Sequence, residues 1–306
     1  MKKLLLTALI ILFSLTSNVV WSADYNKGLE AAQRGDFATA LSEWKPLGEQ
    51  GDALAQYNLG VMYRKGQGVP QDDKTAVKWL TLAAEQDYAN AQNNLGWMYE
   101  KGYGVPQDDK TAVKWFTLAA EQRYADAQYN LGQMYRKGQG VPQNDKTAVK
   151  WYTLAAEQGD ALAQYNLGVM YDNGKGVPQN YETAVKWYTL AAEQGFANAQ
   201  YNLGWMYDIG QGVPQNYETA VKWFTLAAEQ GDARAQTNLG LMYAKGEGVL
   251  RDYVYAHMWA SISALNGNEN AIKLRDFVAN EMMTSADFSE AQKLARECVA
   301  KNYKGC

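Results

Sequence analysis

The feature that most constrains this chain is a unit of 36 residues written six times between residues 52 and 267. Every copy carries a glycine at one fixed position, namely Gly60, Gly96, Gly132, Gly168, Gly204 and Gly240. A tryptophan follows in each copy, at Trp79, Trp115, Trp151, Trp187, Trp223 and Trp259. Tandem units of this length are supersecondary elements that bury their apolar faces only against neighbouring copies. Such stacks have long, shallow surfaces and seldom enclose a pocket, so the period favours a binding scaffold.

The first copy shows how a unit is built. Between Ala53 and Lys65, apolar side chains recur at the spacing of one helical face, at Ala55, Leu59, Met62 and Tyr63. Gly66 and Pro70 then end the helix, because glycine suits a left-handed C-terminal position and proline cannot continue a helix. Asp72 or Asp73 offers an N-cap for a second helix that runs to Gln86. Each unit is therefore predicted to be an antiparallel helix pair.

Gly60 lies in the middle of the first helix, where glycine costs about 1 kcal/mol relative to alanine. Its repetition in six copies indicates a packing requirement, and we expect close approach of the two helices of a pair. The tryptophan column, with Trp79 as its first member, is expected to supply buried area between neighbouring pairs.

The pattern A-x-x-x-L-G-x-M-Y-x-x-G-x-G-V-P, followed by A-x-x-W-x-x-x-A-A, closely resembles the Sel-1-like repeat family, relatives of the tetratricopeptide repeats. The resemblance covers about 216 of 306 residues. It implies an all-α fold, a right-handed α/α solenoid of helix pairs whose first helices line the concave side. Members of this family are mostly adaptors and assembly scaffolds, and bacterial members are often exported.

The ends depart from the repeat, as capping units do. Residues 24–51 read as an N-terminal capping helix pair, in which Pro46 is expected to interrupt the second helix. Residues 268–306 read as C-terminal capping helices: one from Ala271 to Met282, and a last one capped by Ser285. The expected fold is thus a solenoid with capping helices at both ends.

The N-terminus has the order of a secretory signal. Two lysines precede the apolar run Leu4 to Leu15, and a small-residue segment ends at Ala23. Residues 1–23 are therefore predicted to be a signal peptide; the alternative is an uncleaved anchor that runs on to Trp21. No cysteine follows the run, so a lipid anchor has no attachment point. We expect a periplasmic or secreted protein with no membrane span after signal removal.

Charge limits the class of partner. Without residues 1–23, 27 basic side chains face 33 acidic ones, a net charge near −6. This balance disfavours nucleic acid or an anionic membrane as the main partner.

Cys298 and Cys306 are the two cysteines, eight residues apart. An oxidising compartment permits a disulfide between them, but spacing alone leaves the pairing open.

Comparison of the copies separates constant from variable positions along the first helix. Four columns vary, and they begin at Leu54, Tyr57, Val61 and Arg64. At about 100° per residue they occupy roughly one 80° arc, away from the packing positions. We interpret this stripe as the exposed inner surface, which carries the Tyr and Trp types that are common in binding hot spots. The predicted partner-binding residues are Tyr57, Val61, Asn94, Trp97, Tyr129, Gln133, Tyr165, Tyr201 and Trp205. The alternative is a solvated stripe that is free to drift.

An invariant asparagine column borders the stripe, at Asn58, Asn94, Asn130, Asn166, Asn202 and Asn238. Asparagine is a poor residue in mid-helix, so each member should have a partner. One hypothesis is a hydrogen bond to the backbone of the adjoining repeat; the other is a ladder that grips the main chain of an extended peptide.

Catalytic patterns are weak. Residues 42–45 match the S-x-x-K string of serine β-lactamases, but the accompanying S-D-N and K-T-G elements are missing from the sequence. His257 is the single histidine, so no zinc site is expected, and no cofactor is predicted.

The leading interpretation is a non-enzymatic scaffold or adaptor of the bacterial envelope that binds a protein or extended peptide. A cell-wall or β-lactam hydrolase and a structural spacer are the alternatives.

Overall fold

The computed structural model describes residues 23–265 and 267–306. The predicted signal peptide, residues 1–23, lies outside the described residues except for Ala23. The described part contains sixteen α-helices and no strand, and consecutive helices pack in pairs along the chain. The expected all-α solenoid of helix pairs is therefore confirmed.

Helices α1 and α2 form the N-terminal pair, Tyr25–Gln33 and Phe37–Glu49. The first helices of the six repeated units are α3 Ala53–Lys65, α5 Ala89–Lys101, α7 Ala125–Lys137, α9 Ala161–Asn173, α11 Ala197–Ile209 and α13 Ala233–Lys245. The second helices are α4 Asp73–Ala84, α6 Asp109–Glu121, α8 Asp145–Glu157, α10 Tyr181–Glu193, α12 Tyr217–Ala228 and α14 Tyr253–Leu265. Two helices close the chain, α15 Glu269–Glu281 and α16 Ser285–Ala300.

The helix boundaries follow from local chemistry. Gly66 adopts the left-handed conformation at φ 67°, and its N–H donates to the carbonyl of Met62 at the end of α3. Asp72 then caps α4 by accepting from the backbone N–H groups of Lys74 and Thr75. Because these residues recur, each unit turns at the same place.

The core is a series of similar clusters, each formed by the second helix of one unit and the first helix of the next. Large, fully buried side chains recur at the position that follows the tryptophan, at Leu80, Phe116, Tyr152, Tyr188 and Phe224. The tryptophan rings are half-buried except that of Trp259 in the last repeat, which is fully buried. Trp115 packs against the cluster of α4 and α5, and so joins a third helix to it. The clusters form a continuous core along the solenoid.

The mid-helix glycines face these large side chains. A Cβ added to Gly60 would lie 2.6 Å from Leu80 Cγ, and one added to Gly132 would lie 2.7 Å from the ring of Tyr152. Any side chain at these positions would therefore force the helix pair apart.

A second recurrent feature is a buried glutamine in each first helix. Gln128 is 2% exposed, and its Nε2 donates to the carbonyl of Ala120 in the preceding unit at 3.1 Å. Its Oε1 accepts from Gln158 Nε2 at 2.7 Å, at the end of the second helix of its own unit. One amide therefore ties three helices together.

The ends differ from expectation in two details. Pro46 lies inside α2, and the helix continues to Glu49, so the predicted interruption is wrong. The N-cap of α16 is Thr284 rather than Ser285, because Thr284 and Asp287 form a reciprocal capping box.

Helix α16 does not pair with α15. Both pack along α14, and they scarcely contact each other. The end of α16 is joined to the following residues by a disulfide between Cys298 and Cys306, with a Cα–Cα distance of 5.5 Å. Gly305 N–H also donates to Glu229 Oε1 at 2.9 Å, which fastens the C-terminus to the last repeats.

Candidate functional site

The four variable columns lie together on the first helices, and we call this surface the first-helix face. Most of its members are at least partly exposed, with Trp205 at 43% and Leu241 at 37%. Side chains of successive first helices contact one another across it: Asn130 Nδ2 donates to Asn93 Oδ1 at 2.9 Å, and Arg234 donates to Asn198 at 2.7 Å. The face is therefore a continuous surface that runs along the repeats.

The tyrosine column is less exposed than expected. Tyr57, Tyr129, Tyr165 and Tyr201 are half-buried, and in the same column Asn93 and Thr237 are 8% and 6% exposed. The Tyr57 ring lies 5.2 Å from Tyr88, the residue before the next first helix, and Tyr165 lies 5.0 Å from Phe196 in the equivalent place. These rings stabilise the contact between units. The prediction that this column is simply exposed is wrong, because aromatic rings pack against it: those of the following unit at Tyr57 and Tyr165, and those of the same unit, Tyr152 and Phe224, at Tyr129 and Tyr201.

Three members of the asparagine column, Asn58, Asn94 and Asn130, are paired with side chains of the preceding first helix. Asn58 donates to the Tyr25 hydroxyl at 3.0 Å, and Asn94 donates to the Tyr57 hydroxyl at 3.5 Å. Asn166 instead donates to the carbonyl of Leu162 in its own helix at 2.8 Å. The hypothesis of bonds to the backbone of the adjoining repeat is wrong for these members. The reason is that, for Asn58 and Asn94, the hydroxyl groups of Tyr25 and Tyr57 lie within hydrogen-bonding distance.

Trp97 lies at the centre of a recess on the first-helix face. The Arg64 guanidinium lies over its ring at 5.1 Å, and Tyr103 contacts it with ring centroids 5.1 Å apart. A cavity of about 310 Å³ lies on the side of Arg64 and Lys65. A second cavity of about 200 Å³ lies on the opposite side and is lined by Tyr129, Asn130, Gln133, Lys101 and Lys137, among others. The Trp97 side chain thus borders two small cavities, each lined by two basic residues and one carboxylate, Asp73 in the first and Glu100 in the second.

The charge of the face changes along the chain. The last turns of α3 and α7 carry basic residues, at Arg64, Lys65, Arg136 and Lys137, whereas in α5 Lys101 is paired with Glu100 at 2.7 Å. The equivalent positions of α9 and α11 carry Asp172 and Asp208. Burial raises the pKa of both carboxyls above the usual value, and the Tyr188 hydroxyl, which donates to Asp172 at 3.3 Å, partly opposes this shift. At this position the face is basic in the first and third units, carries an ion pair in the second, and is acidic in the fourth and fifth.

A position that carries the same residue in most copies is not necessarily buried. A leucine on the second helices is the same in five units, yet it is 44% exposed at Leu82, 42% at Leu118 and 43% at Leu190. Near-identical copies keep the same residue on exposed surfaces as well. A constant position among the copies can therefore be either exposed or buried.

A cavity of about 740 Å³ lies outside the predicted site, between α14, α15 and α16. His257 and Ser261 form part of its floor, and Ser261 Oγ lies 3.3 Å from His257 Nδ1. The sequence analysis did not predict this contact, although residues four apart on one helix lie next to each other.

His257 is 2% exposed and its ring meets the edge of Phe288 at 5.1 Å. Burial lowers the pKa of His257 below its usual value, Arg275 lowers it further, and Asp276 opposes the shift. Both His257 and Ser261 lie in the interior of α14, where the backbone N–H groups are engaged in the helix and cannot stabilise an oxyanion.

Other catalytic and metal-binding interpretations gain no support. Ser42 Oγ donates to the carbonyl of Thr39 at 2.8 Å, within its own helix. Among the described residues, no cluster of His, Cys, Asp or Glu has the geometry of a metal site. In the same part of the chain, no helix combines the length and the apolar character needed to cross a bilayer.

In the described part of the chain, the consecutive helix pairs from α1 to α14 define a helical solenoid of the α/α repeat class. The model of the Sel1 repeat family matches residues 53–88, 89–124, 125–160, 161–196, 197–232 and 233–268. The chain therefore belongs to the Sel1 repeat family. This repeat fold is in general a scaffold for protein–protein interaction and is generally non-catalytic, which points to proteins as partners.

Two solved structures of similar proteins are of bacterial origin. A Sel1 repeat protein from Oxalobacter formigenes is 35% identical, with 79% of this chain and 100% of that chain covered at a TM-score of 0.71. A protective antigen of uropathogenic Escherichia coli with the same repeat fold, c5321, is 27% identical, with 91% of this chain and 85% of that chain covered at a TM-score of 0.52. No curated protein matches the chain.

Proposed function

We propose that this protein is a non-enzymatic scaffold or adaptor of the bacterial envelope, and that it binds a protein or extended peptide on the first-helix face. The observation that carries the proposal is the Trp97 recess, where an aromatic side chain borders two cavities and lies beneath a guanidinium. Tryptophan, tyrosine and arginine are the residues that most often dominate binding energies at interfaces.

The shape of the solenoid supports the choice of face. Hydrogen bonds and a cation–π contact link successive first helices, with Arg64 reaching the ring of Trp97 in the next unit. Such links are in keeping with first helices that lie on the inner, concave side. A groove on that side fits an extended segment whose successive side chains meet successive units.

The charge gradient supports a partner segment of matching polarity. Acidic residues of the partner would lie against the basic residues of α3 and α7, and a basic stretch against Asp172 and Asp208. Complementary charge mainly sets orientation and the rate of association. Binding should therefore weaken as the ionic strength rises.

The disulfide supports export. The pairing of Cys298 with Cys306 suits an oxidising compartment. Together with the signal pattern at residues 1–23, it supports a periplasmic or secreted location. N-terminal sequencing of the protein recovered from the periplasm or medium tests this: a start at Ala23 or Asp24 is expected, whereas a start at Met1 in the membrane fraction would indicate the uncleaved anchor.

The binding face is tested by site-specific crosslinking in an envelope fraction. A photo-crosslinking amino acid replaces Leu241, which lies in the same column as Trp205 and Trp97 and is 37% exposed. The double variant Trp97→Ala, Trp205→Ala should reduce the captured partner strongly, since a hot-spot tryptophan contributes about 2 kcal/mol or more.

Leu190→Ala is the matched control, because Leu190 is exposed by 43%, the same fraction as Trp205, but lies on a second helix. It should leave capture unchanged. Circular dichroism verifies that each variant keeps its helix content. If the double variant captures the same partner as the wild type while it remains folded, the first-helix face is not the binding surface, and the structural spacer becomes the better interpretation.

A further inference from the structure

The three C-terminal helices leave a cleft that the repeated architecture does not require. In a regular unit the second helix packs against its own first helix, but α16 packs along α14 and leaves α15 uncovered on that side. The resulting cavity of about 740 Å³ lies within the range of roughly 300–1,000 Å³ that is typical of small-molecule sites.

The lining of this cleft is amphiphilic. Apolar side chains that remain accessible line it, with Leu265 at 74%, Phe288 at 37% and Val299 at 37% exposure. Ala279 and Ala295 leave room between the walls of α15 and α16. An acyl chain or a ring would remove this apolar surface from water, which is the main source of affinity in such pockets.

The polar lining has an excess of one positive charge. Arg275 is paired with Asp276 at 2.7 Å, so this pair contributes little net charge. Arg296 also lines the cleft and has no ionic partner among the described residues. Gln292 lies one turn before it on α16 and adds a side-chain amide. A guanidinium matches a carboxylate with two parallel hydrogen bonds.

The wall formed by α16 is held in place from outside the cleft. The disulfide closes the chain after α16, the Gly305 N–H bonds Glu229, and Cys298 packs in the core of the last repeat with Tyr303 against it. A wall that is fixed before the ligand arrives lowers the entropic cost of binding.

We propose that the cleft between α14, α15 and α16 binds a small amphiphilic carboxylate, with its apolar body against Leu265, Phe288 and Val299 and its carboxylate on Arg296. This site is separate from the first-helix face and does not depend on the function proposed for that face.

Titration calorimetry on the mature chain tests the site with dodecanoate below its micellar concentration. One saturable site is expected. Arg296→Gln should weaken dodecanoate binding roughly tenfold or more, because it removes a charge-assisted pair. Lys293→Gln is the matched control, since it removes one positive charge from the same helix at a residue that does not line the cleft; it should change the affinity less than about twofold.

Two further binding measurements test the charge of the ligand and the position of the site. Dodecyltrimethylammonium should bind much more weakly than dodecanoate, and Ala279→Phe should abolish dodecanoate binding by filling the cleft while the helix content is retained. Equal binding of the two surfactants would overturn the assignment of a carboxylate. Undiminished dodecanoate binding to a folded Ala279→Phe variant, or the absence of a saturable site in the wild type, would overturn the site itself. A site that accepts an amphipathic helical peptide but not dodecanoate would indicate a macromolecular partner and also refute the proposal.

Discussion

At the scale of single residues, the glycine column controls how closely the helices of each pair approach. The backbone of Gly132 lies against the ring of Tyr152, and the corresponding position of the first unit lies against Leu80. The aromatic or branched side chain needs the space that a Cβ would take. The glycine and its large neighbour therefore form one packing unit that recurs along the chain.

We predict that Gly132→Ala destabilises the protein, although alanine is the better helix former. The methyl group would lie 2.7 Å from the Tyr152 ring. Overpacking costs typically 1–3 kcal/mol, and the gain in helix propensity offsets about 1 kcal/mol of it, so a net loss of about 1 kcal/mol is expected in urea unfolding. The double variant Gly132→Ala, Tyr152→Leu should recover part of the loss. An increase in stability for the single variant would show that the approach of the helices is not limiting.

His257 gives a second prediction at this scale. Its pKa is lowered in the folded state from the usual 6.5, so the unfolded chain binds the proton more readily. The contribution to stability is complete above about pH 6.5 and is lost as the pH falls through the lower, folded-state pKa. Because His257 is the single histidine, NMR titration of its ring should show a midpoint below 6.5. The acid-side loss of unfolding free energy should shrink in His257→Gln, and an unchanged pH profile would contradict this account.

At the scale of helices, the buried glutamines connect units that otherwise meet through apolar contacts. Gln128 donates to α6 and accepts from the residue after α8. The bond to the Ala120 carbonyl is buried, so loss of the amide leaves that carbonyl without its donor. The glutamine column therefore fixes the relative position of consecutive pairs.

We predict that Gln128→Leu, which keeps a similar volume, destabilises the α6–α7 contact by about 1–3 kcal/mol. Hydrogen exchange of the amides in α6 and α7 should accelerate more than exchange in α11 and α12, because the effect is local. The exposed Gln143, changed to Leu, is the matched control and should alter stability by less than about 0.5 kcal/mol. Uniform acceleration along the whole chain would show that the bond does not act at one interface.

The helix pairs could be predicted from the sequence because each signal recurs six times. Gly66 and Asp72 mark helix ends by local chemistry that needs no tertiary partner. The burial of Tyr57 could not be predicted in the same way, since it depends on Tyr88, which belongs to the next unit. The cleft at the C-terminus could not be predicted from the sequence either. Helix α16 occurs once, so its packing on α14 is not accompanied by a repeated sequence pattern.

At the scale of the whole molecule, the solenoid is a linear array in which each unit contacts its neighbours. The interfaces are nearly the same from copy to copy, with an alanine carbonyl bonded by glutamine at each of the successive junctions. Stability in such an array is close to a sum over units and interfaces.

We predict that removal of residues 125–160, one complete unit, yields a folded protein with the same helix content per residue and a lower unfolding free energy. The new junction joins a second helix to a first helix of the same kind. Removal of residues 125–142 is the control: it deletes α7 and most of the loop that follows, and leaves α8 without its partner. This control should lose helix content in circular dichroism. Equal behaviour of the two deletions would contradict a modular array.

The packing of α16 on α14 also has a genetic consequence. Recombination between near-identical copies can lengthen or shorten the array only upstream of α14, because a unit added after it would displace α16. The length of the first-helix face can therefore change between strains by whole units. Such recombination leaves the cleft between α14, α15 and α16 unchanged. The two surfaces are free to evolve at different rates within one chain.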